Sequence, residues 1–108
     1  MVQVQQAGAV AHVNLVTPVP GNLEEFIALQ LRGLPRFGTI PGWQGTTLYR
    51  ARNGRSAVIL SLWDDEAAHG RFVTTDAFLA HREKLRSIVA HSAGSFYDLV
   101  YRRAPAAP

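Results

Sequence analysis

The spacing of hydrophobic and polar positions changes several times along the chain, and each change marks an element. "VAHVNLVT", Val10 to Thr17, is dense in β-branched residues and reads as a first strand. "PVPGN" breaks it, and Leu23, Ile27, Leu31 and Leu34 then recur near helical spacing, with Phe26 and Gln30 beside them. Asn22 is placed to cap this helix, Glu24 and Glu25 complement its positive end, and Pro35 should end it or disturb its last turn. "IPGWQG", Ile40 to Gly45, is a turn that opens a second strand, "WQGTTLYRAR". Asn53–Gly54 is a hairpin turn, and Arg55 to Trp63 is the third strand, antiparallel to the second. Asp64 and Asp65 begin a short helix, "DEAAHGRFV". Asp76 is expected to cap another, "AFLAHREKLRSIVAHS", with Phe78, Leu79, Arg82, Leu85 and Val89 along one side. "GSFYDLVYRR" closes the pattern as a fourth strand. Residues 1–9 are expected to be a flexible N-terminus and residues 104–108 a disordered tail, leaving one domain over 10–103.

The order β-α-β-β-α-β, with its second helical region split, predicts an α+β fold: a ferredoxin-like antiparallel sheet. The third strand adds a second expectation. Val58, Leu60 and Leu62 point to one face, and Ala57, Ile59 and Trp63 to the other. In the first strand Val13 and Leu15 share one face, and His12, Asn14 and Val16 the other. Helices cover only one face of such a sheet, so an apolar second face needs a partner. A homodimer packed sheet against sheet, forming a dimeric α+β barrel, is the expected assembly.

Composition narrows the function. The chain has 108 residues, 47% hydrophobic and 18% charged, as in a soluble globular domain. No apolar run approaches the roughly 20 residues that cross a bilayer, and the N-terminus lacks the pattern of a secretory signal. Cysteine is absent, which removes disulfides, thiolate metal sites and a thiol nucleophile, and suits a cytoplasmic protein. Net charge is +3, but the basic residues are scattered, and only "HREKLR" and the final "RR" are dense. That distribution favours a solvated surface over a nucleic-acid footprint. No carboxylate or third histidine stands at ligand spacing from His69 and His81, so no metal site is expected.

The frame "IPGWQGTTLYRARNG…AVILSLWDDEAAHGRFVTTDAFLAH" resembles the antibiotic biosynthesis monooxygenase superfamily: a PGF or PGW turn, a hairpin, a strand ending in Trp plus acidic residues, an Ala-rich helix and a D-x-F start to the next helix. The likeness runs over about residues 10–103. Within the superfamily it is most similar to the small cofactor-independent monooxygenases of aromatic polyketide pathways, which oxidise anthrones or phenols to quinones with molecular oxygen. In that branch a Trp ending the third strand lines a pocket between sheet and helices, and Trp63 matches it. His69 falls where the branch can carry a tyrosine, and Arg82 corresponds, within one position, to an arginine on the next helix. An Asn four residues before the Trp is replaced here by Ile59. The resemblance therefore implies an aromatic small-molecule substrate, O2, no cofactor and a homodimer. A haem-degrading branch offers a second comparison: Asn14 matches its first-strand Asn, Phe72 stands at its Trp position, and Arg82, next to His81, stands at its iron-ligating His position. A polyketide cyclase and a non-catalytic ligand-binding dimer share the architecture and stay open.

Each candidate also has a plainer reading. Trp63 can be simple core. His69 can be a satisfied surface residue, or, beside Phe72 and Val73 on its helix, a base kept neutral by apolar neighbours. Asn14 is unfavourable in mid-strand, and either hydrogen-bonds near the sheet edge or holds a substrate carbonyl. Arg82 is either a solvated charge or a stabiliser of an enolate or peroxide anion. Phe72 and Phe78 would wall the pocket, with Ile59 and His81 as further substrate contacts. His12 and His91 join no arrangement readable from sequence.

Overall fold

The computed structural model describes residues 9–106. Residues 1–8 of the expected flexible terminus and 107–108 of the expected tail lie outside the described residues. The strands are β1 (Val10–Pro18), β2 (Trp43–Arg50), β3 (Ala57–Trp63) and β4 (Val89–Asp98). The helices are α1 (Leu23–Gly33), α2 (Glu66–Phe72) and α3 (Asp76–Leu85), with a 3-10 turn at Leu34–Phe37. All pairings in the four-stranded sheet, ordered β2-β3-β1-β4, are antiparallel, which is the α+β ferredoxin-like topology.

Register fixes which side chains meet. Asn14 lies opposite Ile59, His12 opposite Ser61 and Val16 opposite Ala57, so these pairs share the helix-facing side. There Val16, Leu23, Phe26, Ile27, Ala57 and Ile88 form the core, with Phe26 at 1% exposure. The opposite side presents Val13, Leu15, Tyr49, Val58, Leu60, Leu62 and Tyr97, most of them half-buried, with Leu15 49%, Tyr49 54% and Tyr97 57% exposed. No helix among the described residues is long and apolar enough to cross a membrane.

Several local expectations are corrected. The buried face of α1 is Leu23, Phe26, Ile27 and Gln30, while Leu31 is 63% exposed. The first turn sets the helix phase, and Leu31 falls outside the stripe it buries. Asn22 does not cap α1 with its side chain; its Nδ2 donates to Glu25 Oε1 at 2.9 Å instead. Thr75, not Asp76, caps α3, its Oγ1 accepting from Phe78 N at 3.2 Å. The third helix stops at Leu85, and "VAHSAG" is already β4, because Ile88 and Val89 satisfy the strand period as well as the helical one and pairing with β1 decides between them. The fourth strand ends at Asp98, and 99–106 carry no regular structure.

The PGW turn has a packing role. Gly42 takes φ +81°, and a Cβ there would stand 2.5 Å from that of Ala68. Its carbonyl accepts from Asp64 N at 2.7 Å, so the turn seats the start of α2. Asp65 then caps α2, accepting from Ala68 N at 2.8 Å. Asp65→Ala should lower stability by about 1 kcal/mol in denaturant melts; an unchanged midpoint would show that the turn alone holds the helix.

Candidate active site

Between the helix-facing side of the sheet and the helices lies a cavity of about 890 Å³. Asn14, Ile59, Trp63 and His69 line it, as do Phe72, Phe78, His81 and Arg82, so the candidates named from sequence border one space. They are not equivalent within it. Trp63 is 2% exposed, Asn14, Ile59, His69, Phe72, Phe78 and His81 are half-buried, and Arg82 remains exposed to solvent. On α3 it is His81, rather than Arg82, that turns in to a partner: its Nε2 hydrogen-bonds Oε1 of Gln30, a residue 3% exposed on α1.

Aromatic groups wall one end. Trp63 and His69 meet edge to face, with ring centroids 5.4 Å apart at 87°. Phe72 lies 5.6 Å from Trp63, 5.2 Å from Phe78 and 5.0 Å from Phe37. Phe37, in the 3-10 turn, also meets His81 edge-on at 5.4 Å. The sheet supplies a hydroxyl chain: Trp43 Nε1 donates to Thr46 Oγ1 at 2.8 Å, and Thr46 and Ser61 share a hydrogen bond at 2.9 Å. Among the described residues no three His, Cys, Asp or Glu side chains gather as a metal site would require.

Sequence reasoning missed three members. His12 stacks on His69, centroids 4.3 Å apart and planes 29° apart. Phe96 lies 5.0 Å from each of those rings. Phe37 is the third. Alternation along β1 puts His12 on the side of Asn14, but its pairing with Phe96 depends on the β1–β4 register, which no local pattern encodes.

Two features give the cavity chemical character. The first is an orphan: the Trp63 indole N–H is buried with no acceptor among the described residues. A buried donor without a partner is unfavourable by about 1–3 kcal/mol and is uncommon in folded proteins. The second is neutrality. Burial pushes His12, His69 and His81 below the ordinary histidine value, with the charge of His12 adding to the effect on His69 and that of Lys84 to the effect on His81. Below about pH 6.5 the unfolded chain therefore binds more protons than the folded one, so stability is present above that pH and lost as pH falls through the folded values. The thermal midpoint should drop between pH 7 and pH 5; a flat profile would mean these rings are as well solvated as in the unfolded chain.

The sequence profile described as antibiotic biosynthesis monooxygenase matches residues 9–84. A search of curated proteins finds no match. Among solved structures, SnoaB, a cofactor-independent oxygenase from Streptomyces nogalater, is 29% identical, with a TM-score of 0.75 over 91% of this chain and 97% of that one. A conserved protein from Methanosarcina mazei (18% identity, TM-score 0.76, 86% and 94% covered) and a protein from Mycobacterium tuberculosis (15%, 0.76, 89% and 99%) share the fold.

Proposed function

The chain belongs to the antibiotic biosynthesis monooxygenase family, and from that membership we propose that its cavity oxidises an electron-rich hydroxy-aromatic of polyketide type, an anthrone or a phenol, to a quinone with molecular oxygen, using no flavin or metal. One observation carries the reading. A half-buried imidazole, its pKa lowered by burial, meets the Trp63 indole edge to face with ring centroids 5.4 Å apart in an aromatic-walled cavity, and the buried indole N–H has no acceptor among the described residues. A neutral imidazole is the base that an acidic C–H or phenolic O–H requires near pH 7. An unpartnered N–H is the donor that the resulting oxyanion requires. The similarity to SnoaB supports the same reading.

The steps balance without an added reductant. His69 removes a proton, leaving the electron pair on the substrate as a carbanion or phenolate. That anion passes an electron to O2, and radical recombination forms a C–O bond. The peroxide takes the proton back from the imidazolium. Loss of water from the hydroperoxide leaves the quinone carbonyl, so one oxygen atom enters the product and the other leaves as water. Trp63, Phe72 and Phe78 hold the planar substrate, Asn14 and Ile59 border it on the sheet, and Arg82 and His81 flank it from α3.

Haem chemistry fits these residues less well. His81, the imidazole nearest the iron-ligand position, bonds Gln30 through Nε2, and its ring packs so close to Gly33 that a Cβ there would overlap Nδ1. Its Nε2 is thus engaged by a side chain, and its Nδ1 edge packs toward the α1 backbone at Gly33.

The exposed apolar sheet face supports a homodimer, which should sediment at twice the 11.8 kDa chain mass. Oxygen consumption with a hydroxyanthrone and no added cofactor tests the activity. Uptake matched to quinone formation supports it. Equal turnover without oxygen would indicate a cyclase, a Soret shift with haemin would indicate haem binding, and no uptake with any anthrone or phenol would indicate a ligand-binding dimer.

A further inference from the structure

The proposed reaction uses one imidazole, yet the cavity holds a second against it. We propose that His12 and His69 act as a coupled pair of stacked rings that takes up one proton, on His69, with His12 as the positioning partner of the ring that meets the substrate. The inference rests on the oxygenase reading of the cavity for its chemistry, though not for its geometry.

The geometry is specific. The rings come from different layers, His12 from β1 and His69 from α2, and lie 4.3 Å apart at 29°. Phe96 packs against both, tilted on His12 and edge-on to His69, and Trp63 meets His69 edge-on from the other strand neighbour. The space for His12 is made by Gly94. A Cβ there would stand 2.6 Å from His12 Nε2 and 2.9 Å from Cε1. Gly94 is not among the glycines with positive φ, so its backbone conformation does not require glycine and the ring does.

Stacking, unlike an in-plane hydrogen bond between the two rings, leaves the ring nitrogens of His69 available to substrate or water, while His12 packs its Nε2 edge against Gly94. A neutral His12 lies face-on to the imidazolium that His69 becomes, and its π-face tolerates that charge. Two imidazolium rings at this spacing repel, so the pair takes up one proton and resists a second. Before reaction both rings are neutral. During it a substrate C–H or O–H bond breaks, its electron pair stays on the substrate, and the proton forms one N–H bond on the pair. That proton then returns to the peroxide. The ionisable groups on the elements around the pair are Asp98 on β4 and Glu66 and Arg71 on α2, all exposed, with Asp65 at the α2 cap; His91 and Tyr97 of β4 fall on the other sheet face by strand parity, and β3 carries no ionisable side chain.

Imidazole NMR titration of the ligand-free protein tests the pair, comparing wild type with His12→Phe and Gly94→Ala. The second variant keeps both histidines and drives a Cβ into the His12 ring, so it also serves if the first fails to fold. In wild type His69 should titrate over a broadened range. In either variant it should follow a simple one-proton curve centred at higher pH, and the acid limb of kcat/KM for oxygen uptake should move up with it. A His69 curve unchanged in position and shape in both variants overturns the proposal and leaves His12 as packing. So does a shifted curve with an unmoved acid limb. If the titration changes as expected and no substrate is oxidised, the pairing stands and the oxygenase reading falls, so the two failures are distinct.

Discussion

Oxygen uptake with a hydroxyanthrone should fall by about 10²- to 10⁴-fold when His69 is replaced by alanine, the range for loss of a positioned general base. That corresponds to roughly 3–5.5 kcal/mol of lost transition-state stabilisation. The loss should sit in kcat, because the ring's proton transfer is made in the transition state while the aromatic walls that hold the substrate, Trp63, Phe72 and Phe78, remain. Folding should survive: His69 is half-buried, the Asp65 cap of α2 is untouched, and Ala68, the buried residue of that helix, stays in place. Added imidazole should restore part of the rate, since the vacated volume lies between Trp63, Phe96 and His12. An unchanged kcat would remove His69 from the mechanism.

Trp63→Phe should separate function from stability. The change deletes the indole N–H and keeps an aromatic wall. If the substrate oxyanion is its acceptor, kcat/KM should drop by about 10- to 150-fold, the value of a hydrogen bond to a charged group at roughly 1.5–3 kcal/mol. The folded protein should be little affected. Removing an unpartnered buried donor relieves about 1–3 kcal/mol, and the smaller ring forfeits packing on the order of 1 kcal/mol. A stable variant with full activity would show that the N–H faces no reacting atom. A strongly destabilised variant would show that it has a structural partner.

Much of the fold is legible in the sequence because its signals are local. Asn53–Gly54 forces a hairpin, and alternation in Ala57–Trp63 separates a helix-facing side from an exposed apolar one. The same parity puts Trp63 on the cavity side with Ile59, and helical spacing brings His69 and Phe72 to the same side of α2. The β4 boundary was not legible, because Ile88 and Val89 suit either period and only hydrogen bonding to β1 selects the strand. Leu31 shows the reverse problem: a residue at core spacing is left exposed because Gln30, bonded to His81, takes an inward position instead. That bond spans α1 and α3, and no short-range pattern announces it. His12 is the clearest omission. Its importance comes from a stacking partner on α2, a third ring on β4 and the space left by Gly94, all set by tertiary register.

The proposed chemistry requires O2 itself to enter the product, through an anion that the protein makes and shelters. Turnover of a hydroxyanthrone under ¹⁸O2, with protein stripped of metal and flavin, measures that directly. The quinone should carry one ¹⁸O atom per molecule and water the other. An unlabelled quinone, or labelling that appears only after a flavin or haem is added, would contradict the account.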